Sequence, residues 1–289
     1  MKQIVIISGK GGTGKTVLSG SFAALAKNKV IVDCDVDAAD LHLLLHPKVK
    51  ETYEFRSGYS PVIDSTICTR CGKCRELCRF DALLEDFTVD KIACEGCGLC
   101  SHICPENAVS MRENLSGEWY ISETRFGPLV HAQLGITEEN SGKLVSCLRK
   151  KAKEIAEERQ SNLIIIDGTP GIGCPVIASI SGVDLALVIT EPSISGLHDA
   201  QRVIQVATHF RVPVKIVINK YDLNLELTRE IEDYAQRNDI QLLGKISFDE
   251  HVVKSIVLGK TVIEYGECKA KNEIITIWTA LYNGFFTLQ

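Results

Sequence analysis

Gln3-Ile4-Val5-Ile6-Ile7-Ser8-Gly9-Lys10-Gly11-Gly12-Thr13-Gly14-Lys15-Thr16 is the stretch that decides the fold. Its first half is an apolar, β-branched run of the kind found in parallel strands covered on both faces. Its second half fits G-x-x-x-x-G-K-[ST]. The run from Lys15 to Lys27 then carries Leu18, Phe22 and Leu25 at helical spacing. A glycine loop between a strand and a helix lets backbone N–H groups close around phosphate oxygens, and the helix N-terminus adds its dipole. Lys15 is expected to reach β/γ-phosphates and the Thr16 hydroxyl to bind Mg²⁺.

The same rhythm continues outward. Val30-Ile31-Val32 is a second strand ending at Asp33, and further strands are expected at Leu163–Ile166, Leu185–Thr190 and Lys215–Ile218. Helical patterns cover Ser141–Arg159, Gly196–Phe210 and Leu225–Gln236, and a hairpin-like stretch covers Trp119–Leu134. Alternating strands and helices predict an α/β fold, a doubly wound and mostly parallel sheet. Between residues 58 and 111 this periodicity gives way to cysteine, glycine and charge. The expected organisation is therefore a phosphate-loop domain over 1–57 and 112–289, interrupted by an inserted small domain over 58–111.

With 45% hydrophobic and 24% charged residues, the chain is neither disordered nor a coiled coil. A net charge of −5 gives no overall attraction to nucleic acid or anionic lipid. No apolar run approaches the roughly 18 residues of a membrane helix. The first residues lack a signal-peptide cleavage pattern. A cytoplasmic protein with no membrane insertion and no nucleic-acid partner is the expectation.

Eight of the 12 cysteines crowd into one short stretch. Cys68-x-x-Cys71-x-x-Cys74-x-x-x-Cys78 is followed by Cys94-x-x-Cys97-x-x-Cys100-x-x-x-Cys104-Pro105, and each cysteine recurs 26 positions later. In a cytosolic chain such crowding points to metal binding, with zinc held by paired C-x-x-C units as the simpler alternative. Cys34, Cys147, Cys174 and Cys268 stand outside the block.

Lys10-Gly11-Gly12-Thr13-Gly14-Lys15-Thr16 resembles the deviant Walker A loop of the MinD/ParA-type ATPases, whose relatives include the nitrogenase iron protein. Asp33-Cys34-Asp35-Val36-Asp37 resembles that family's switch I, and Asp167-Gly168-Thr169-Pro170-Gly171 its Walker B and switch II. The resemblance implies slow, partner-stimulated ATP hydrolysis in an ATP-dependent homodimer, or in a heterodimer with a paralogous ATPase. Lys10 would then reach the partner's nucleotide, Asp35 would position the attacking water, and Asp33 and Asp167 would serve the Mg²⁺ shell. Asp37 and Asp40 are close rivals to Asp35. Asn219-Lys220-Tyr221-Asp222 matches N-K-x-D, a guanine-selecting motif in many GTPases and an adenine contact in MinD-like proteins. The paired-lysine loop favours ATP, with Asn219 and Asp222 at the base.

The cysteine repeat resembles a bacterial two-cluster ferredoxin. That resemblance implies two [4Fe–4S] clusters with crossed ligation: Cys68, Cys71, Cys74 and Cys104 at the first, Cys94, Cys97, Cys100 and Cys78 at the second. Arg79 stands where the ferredoxin pattern has proline. Cys174 follows switch II, where the nitrogenase iron protein holds a dimer-bridging cluster. That site takes two cysteines per chain, and this segment has one. Three readings compete. One is an ATP-gated electron donor to a metalloenzyme or electron-transfer protein, and another is an assembly factor working on a scaffold or metallocofactor. The third is a MinD-like positioning or regulatory ATPase with a redox-sensing module.

Overall fold

The structure is a computed structural model that describes residues 1–135 and 141–286. Its first elements are β1 (Lys2–Ile7), α1 (Lys15–Leu25), β2 (Lys29–Asp33), α2 (Leu41–Leu45), β3 (Lys48–Ile63), α3 (Lys73–Glu76), α4 (Leu99–His102), β4 (Val109–Thr124) and β5 (Gly127–Leu134). There follow α5 (Ser141–Glu158), β6 (Leu163–Asp167), α6 (Cys174–Ile180), β7 (Leu185–Thr190), α7 (Ile194–His209), β8 (Val214–Asn219) and α8 (Leu225–Arg237). The last are β9 (Gln241–Ile246), α9 (Glu250–Val257), α10 (Val262–Tyr265) and α11 (Lys269–Phe286).

The strands form one sheet in the order β3-β4-β5-β2-β6-β1-β7-β8-β9. From β5 to β9 every neighbouring pair is parallel, as the alternating sequence pattern requires. β1 lies between β6 and β7, so the chain's crossovers diverge on its two sides and leave a crevice at the carboxyl ends of the strands. The glycine loop leaves β1 at that point.

Two compact units divide the chain. The larger comprises Met1–Thr52, Trp119–Gln133 and Ser141–Gln289. The smaller comprises Tyr53–Glu118 and, of the described residues, Leu134 and Gly135. Composition alone marked a shorter insert, 58–111, because it registers cysteine and glycine but not the two 16-residue strands, β3 and β4, on either side of them.

In the larger unit α1 is buried on more than one side. Leu18 and Phe22 enter a core with Ile4, Ile6, Leu187, Trp278 and Leu281, while Ala23 joins Ile31, Leu41, Leu44, Leu45 and Leu129. Small residues at Ser19, Gly20 and Ser21 allow this double packing. α11 buries Ala270, Ile274, Ile277, Trp278 and Leu281, a single helical face, so this helix is part of the core. Phe22 and Trp278 meet with ring centroids 4.9 Å apart. Phe22→Ala should therefore cost about 3–5 kcal/mol of stability, read as a lower urea midpoint at an unchanged slope.

Candidate functional site

The phosphate loop closes around the end of β1. Gly14, the residue before α1, has φ 95, and a Cβ there would sit 2.4 Å from Asn219 Nδ2. Only glycine meets both conditions. Lys15, the first residue of α1, is buried. Its Nζ lies 2.9 Å from Asp35 Oδ2 and 3.6 Å from Asp167 Oδ1. Burial opposes the ammonium charge, but Asp167, Asp35 and Asp33 outweigh it and hold the Lys15 pKa above its ordinary value.

These carboxylates come together through sheet register. Asp33 ends β2 and Asp167 ends β6, and the two are direct partners in the parallel ladder. Burial raises the Asp33 pKa well above its usual range, and the charge of Asp167 adds to the rise. Burial also raises Asp167, against the pull of Lys15. Asp33 uses Oδ1 to accept from the Asp35 amide at 3.1 Å and Oδ2 to accept from the Leu41 amide at 3.3 Å. It thereby braces the switch I stretch. Asp167 differs: Oδ1 accepts from Ser19 Oγ at 2.9 Å, whereas Oδ2 is buried without a partner. Thr16 stands beside the same carboxylate. The buried Thr13 hydroxyl also lacks a partner. An orphaned carboxylate oxygen next to a threonine, at the mouth of a loop of N–H donors, fits Mg²⁺ and phosphate. Asp37, the rival to Asp35, makes no contact with Lys15 among the described ion pairs.

Sequence reasoning missed Glu191, just past β7. Its Oε1 lies 2.7 Å from Lys10 Nζ and its Oε2 lies 3.1 Å from Lys220 Nζ. Lys10 also donates to Ser193 Oγ at 3.1 Å and Ser195 Oγ at 3.0 Å. Burial alone would raise the Glu191 carboxyl; the two lysines outweigh it and hold it below its usual value. So Lys10, expected to point outward to a partner's nucleotide, is tied within its own chain. No motif announces Glu191; a carboxylate one residue beyond a strand end was its only signal.

The two polar ends of the N-K-x-D stretch have structural work here. Asn219 Nδ2 donates to the Thr13 carbonyl at 2.7 Å, and its Oδ1 accepts from the Lys220 amide at 3.0 Å. Asp222 Oδ1 accepts from the Phe248 amide at 2.7 Å. Asn219 thus braces the phosphate loop and Asp222 the turn after β9.

In the smaller unit the cysteines line two cavities. One has Cys68, Cys71, Cys74 and Cys104 in its wall. The other has Cys78, Cys94, Cys97 and Cys100, together with Cys74. Among the described residues no three such side chains converge as a single ion would need; the thiols surround space instead. All 12 cysteines are free thiols.

The 26-residue repeat extends to the backbone. Gly72 and Gly98 take φ 80 and φ 76 as caps of α3 and α4. The Asp64 amide donates to the Ala108 carbonyl and the Asp90 amide to the Ala82 carbonyl, both at 2.8 Å. Shifting one bond by 26 positions, with donor and acceptor repeats exchanged, gives the other. That is an internal two-fold, and it carries the last cysteine of each repeat to the cavity of the other.

A strand, phosphate loop and helix at the switch point of a parallel sheet, with a buried lysine among strand-end carboxylates, define a P-loop nucleoside triphosphatase. Residues 4–262 match the family model of the CobQ/CobB/MinD/ParA nucleotide binding domain. The chain belongs to this family and is an ATPase of the MinD/ParA type. It is 42% identical over 228 residues to the uncharacterized protein MJ0578 of Methanocaldococcus jannaschii, covering 77% of this chain and 79% of that one. A second protein of that organism, MJ0579, is 25% identical over 288 residues, 96% and 97% of the two chains. Among solved structures, the septum site-determining protein MinD of Pyrococcus horikoshii complexed with Mg-ADP shares the fold at a TM-score of 0.59 and 20% identity, covering 97% and 95%.

Lys15→Met removes the one cation shared by Asp33, Asp35 and Asp167. Breaking such a buried set should cost about 3–5 kcal/mol, besides abolishing nucleotide affinity. Asp33 and Asp167 have folded pKa values above their unfolded ones, so the folded state holds more protons and loses stability as pH rises. Without Lys15 this loss steepens. Urea denaturation should show a larger deficit against the parent protein at alkaline pH than at mildly acidic pH; a pH-independent deficit would contradict the charge argument.

Proposed function

We propose that this ATPase is a nucleotide-switched iron–sulfur protein, whose ATP-dependent dimer controls electron transfer or metallocofactor assembly on a partner. The observation that carries it is the internal two-fold of the cysteine block, with one crossed set of four cysteines at each cavity. Thiols spaced around a cavity suit a polynuclear group better than a single zinc ion. The Ala108 amide donates to Cys104 Sγ at 3.3 Å. Such an N–H···S bond suits a cluster ligand. On this reading residues 58–111 are the ferredoxin-like part of the smaller unit. The clusters would supply one-electron chemistry, and bound Mg²⁺ would neutralise charge on the β/γ-phosphates.

In the ATPase cycle, Lys15 and the amides of Gly11, Gly12, Thr13 and Gly14 hold the phosphates. Thr16 and Asp167 would hold Mg²⁺. Asp35 exchanges its contact with Lys15 for a water, which it orients toward the γ-phosphate. Lys10 leaves Glu191 and crosses to the nucleotide of a second chain, a copy of this one or a paralogue, adding positive charge where negative charge builds. The second reading, a MinD-like regulatory ATPase with a redox sensor, is favoured by the family match itself. Among the described residues no helix is long and apolar enough to cross a membrane. Burial of one face of α11 removes that helix as a surface anchor.

Four measurements test the proposal. Anaerobically purified protein should carry about eight irons per chain, and Cys104→Ser should damage the cluster whose other ligands are Cys68, Cys71 and Cys74. Zinc, or loss of the other cluster alone, would refute the assignment. In the ATPase, Lys10→Ala should bind ATP yet lose ATP-induced dimerisation by light scattering. Asp35→Ala should bind ATP and lose turnover by about 100-fold or more. Wild-type dimerisation and turnover in Lys10→Ala would remove the shared-site mechanism.

A further inference from the structure

The cysteine repeat is symmetric in its backbone and asymmetric in everything that surrounds the sulfurs. In the first repeat Arg70 and Lys73 flank Cys71; their counterparts 26 positions later are Gly96 and Leu99. Lys73 lies in the wall of the cavity lined by Cys68, Cys71, Cys74 and Cys104. The Arg70 guanidinium stands 5.8 Å from the ring centroid of Phe87, which lines the same cavity. Each cavity has one carboxylate at its wall, Glu106 at the first and Glu95 at the second, and Arg79 stands at the second. Each wall therefore has one cation and one carboxylate, Lys73 with Glu106 and Arg79 with Glu95, and Arg70, behind Phe87, is a further cation near the first, its charge shared with Asp86.

Hydrogen bonding and burial differ in the same sense. The Ala108 amide donates to Cys104 Sγ at 3.3 Å. The counterpart bond, from Ala82 to Cys78, does not form among the described residues. The second cavity is walled by Leu77, Phe80, Leu83, Val89, Leu99 and Met111, and the first by fewer apolar side chains, chiefly Ile63, Phe87 and Val109.

Resting on the two-cluster reading above, we infer that the two cluster positions are electronically inequivalent. The Cys68/Cys71/Cys74/Cys104 position has the higher reduction potential and takes the first electron, and Arg70 and the Ala108 amide set the difference. Reduction by one electron adds one negative charge to the iron–sulfur group. Nearby cations and N–H donors to sulfur stabilise that charge, and an apolar wall does not. The Cys104 hydrogen bond and the smaller apolar wall act in the same direction as Arg70, while the wall charges Lys73 and Arg79 balance.

The test uses the full chain, purified without oxygen, in a mediated dithionite titration followed by electron paramagnetic resonance. The parent protein should show two reduction waves of equal size. The variant Arg70→Gly places the second repeat's residue in the first; Arg70 has φ 55 where Gly96 has φ 62, so the backbone accepts the change. The upper wave should move down toward the lower, which should stay in place. A single wave in the parent protein, or movement of the lower wave alone, would overturn the inference while leaving two clusters intact. An iron content far from eight per chain would overturn the two-cluster reading, and this inference with it.

Discussion

The buried ammonium of Lys15 among Asp33, Asp35 and Asp167 is the interaction on which the nucleotide site depends. Three carboxylates in one low-dielectric place repel one another and would hold protons without a cation between them. The parallel register forces them together, because Asp33 and Asp167 are ladder partners at the ends of β2 and β6. The phosphate loop supplies the cation, because Lys15 opens α1 directly above those ends. Sheet order, loop conformation and charge balance are therefore one constraint. Loss of the parallel pairing would separate the acids, and loss of the lysine would leave them buried and unpaired.

A second charged set surrounds the loop from the other side. Glu191 holds Lys10 with one oxygen and Lys220 with the other, and Lys220 also donates to the Gly12 carbonyl at 3.2 Å. Asn219 fixes the Thr13 carbonyl. The loop carbonyls are thus supported by β8's end, while Lys10 is stored on β7's end. Both contacts are partly exposed, so they orient more than they stabilise. A lysine held by a partly exposed carboxylate and two serines can exchange them for phosphate oxygens at small cost, which suits a state that changes with nucleotide.

The smaller unit follows a different logic. Its cysteine stretch has little apolar core and is organised by turns: left-handed glycines before α3 and α4, aspartate-led turns at Asp64 and Asp90, and backbone bonds exchanged between repeats. Duplication gives the two cavities the same frame. Divergence of the side chains between the cysteines then gives each cavity its own lining.

By itself, the sequence determined the local chemistry. β1, the glycine loop and α1 were legible because hydrophobic period and motif agree within a few residues, and the 26-residue recurrence of the cysteines was legible because it is spacing along the chain. The parallel class of the sheet followed from strands alternating with helices. Only the tertiary structure decided which strand ends meet, and hence that Asp33 faces Asp167 while its oxygens go to the Asp35 and Leu41 amides. It alone brought in Glu191 and turned Asn219 and Asp222 into braces. β3 and the first part of β4 gave no signal beforehand, since their many polar residues resemble loop and their pairing is non-local. The reason is common to all of these: a motif specifies residues near in sequence, whereas charge partners and strand neighbours are set by register between segments far apart along the chain.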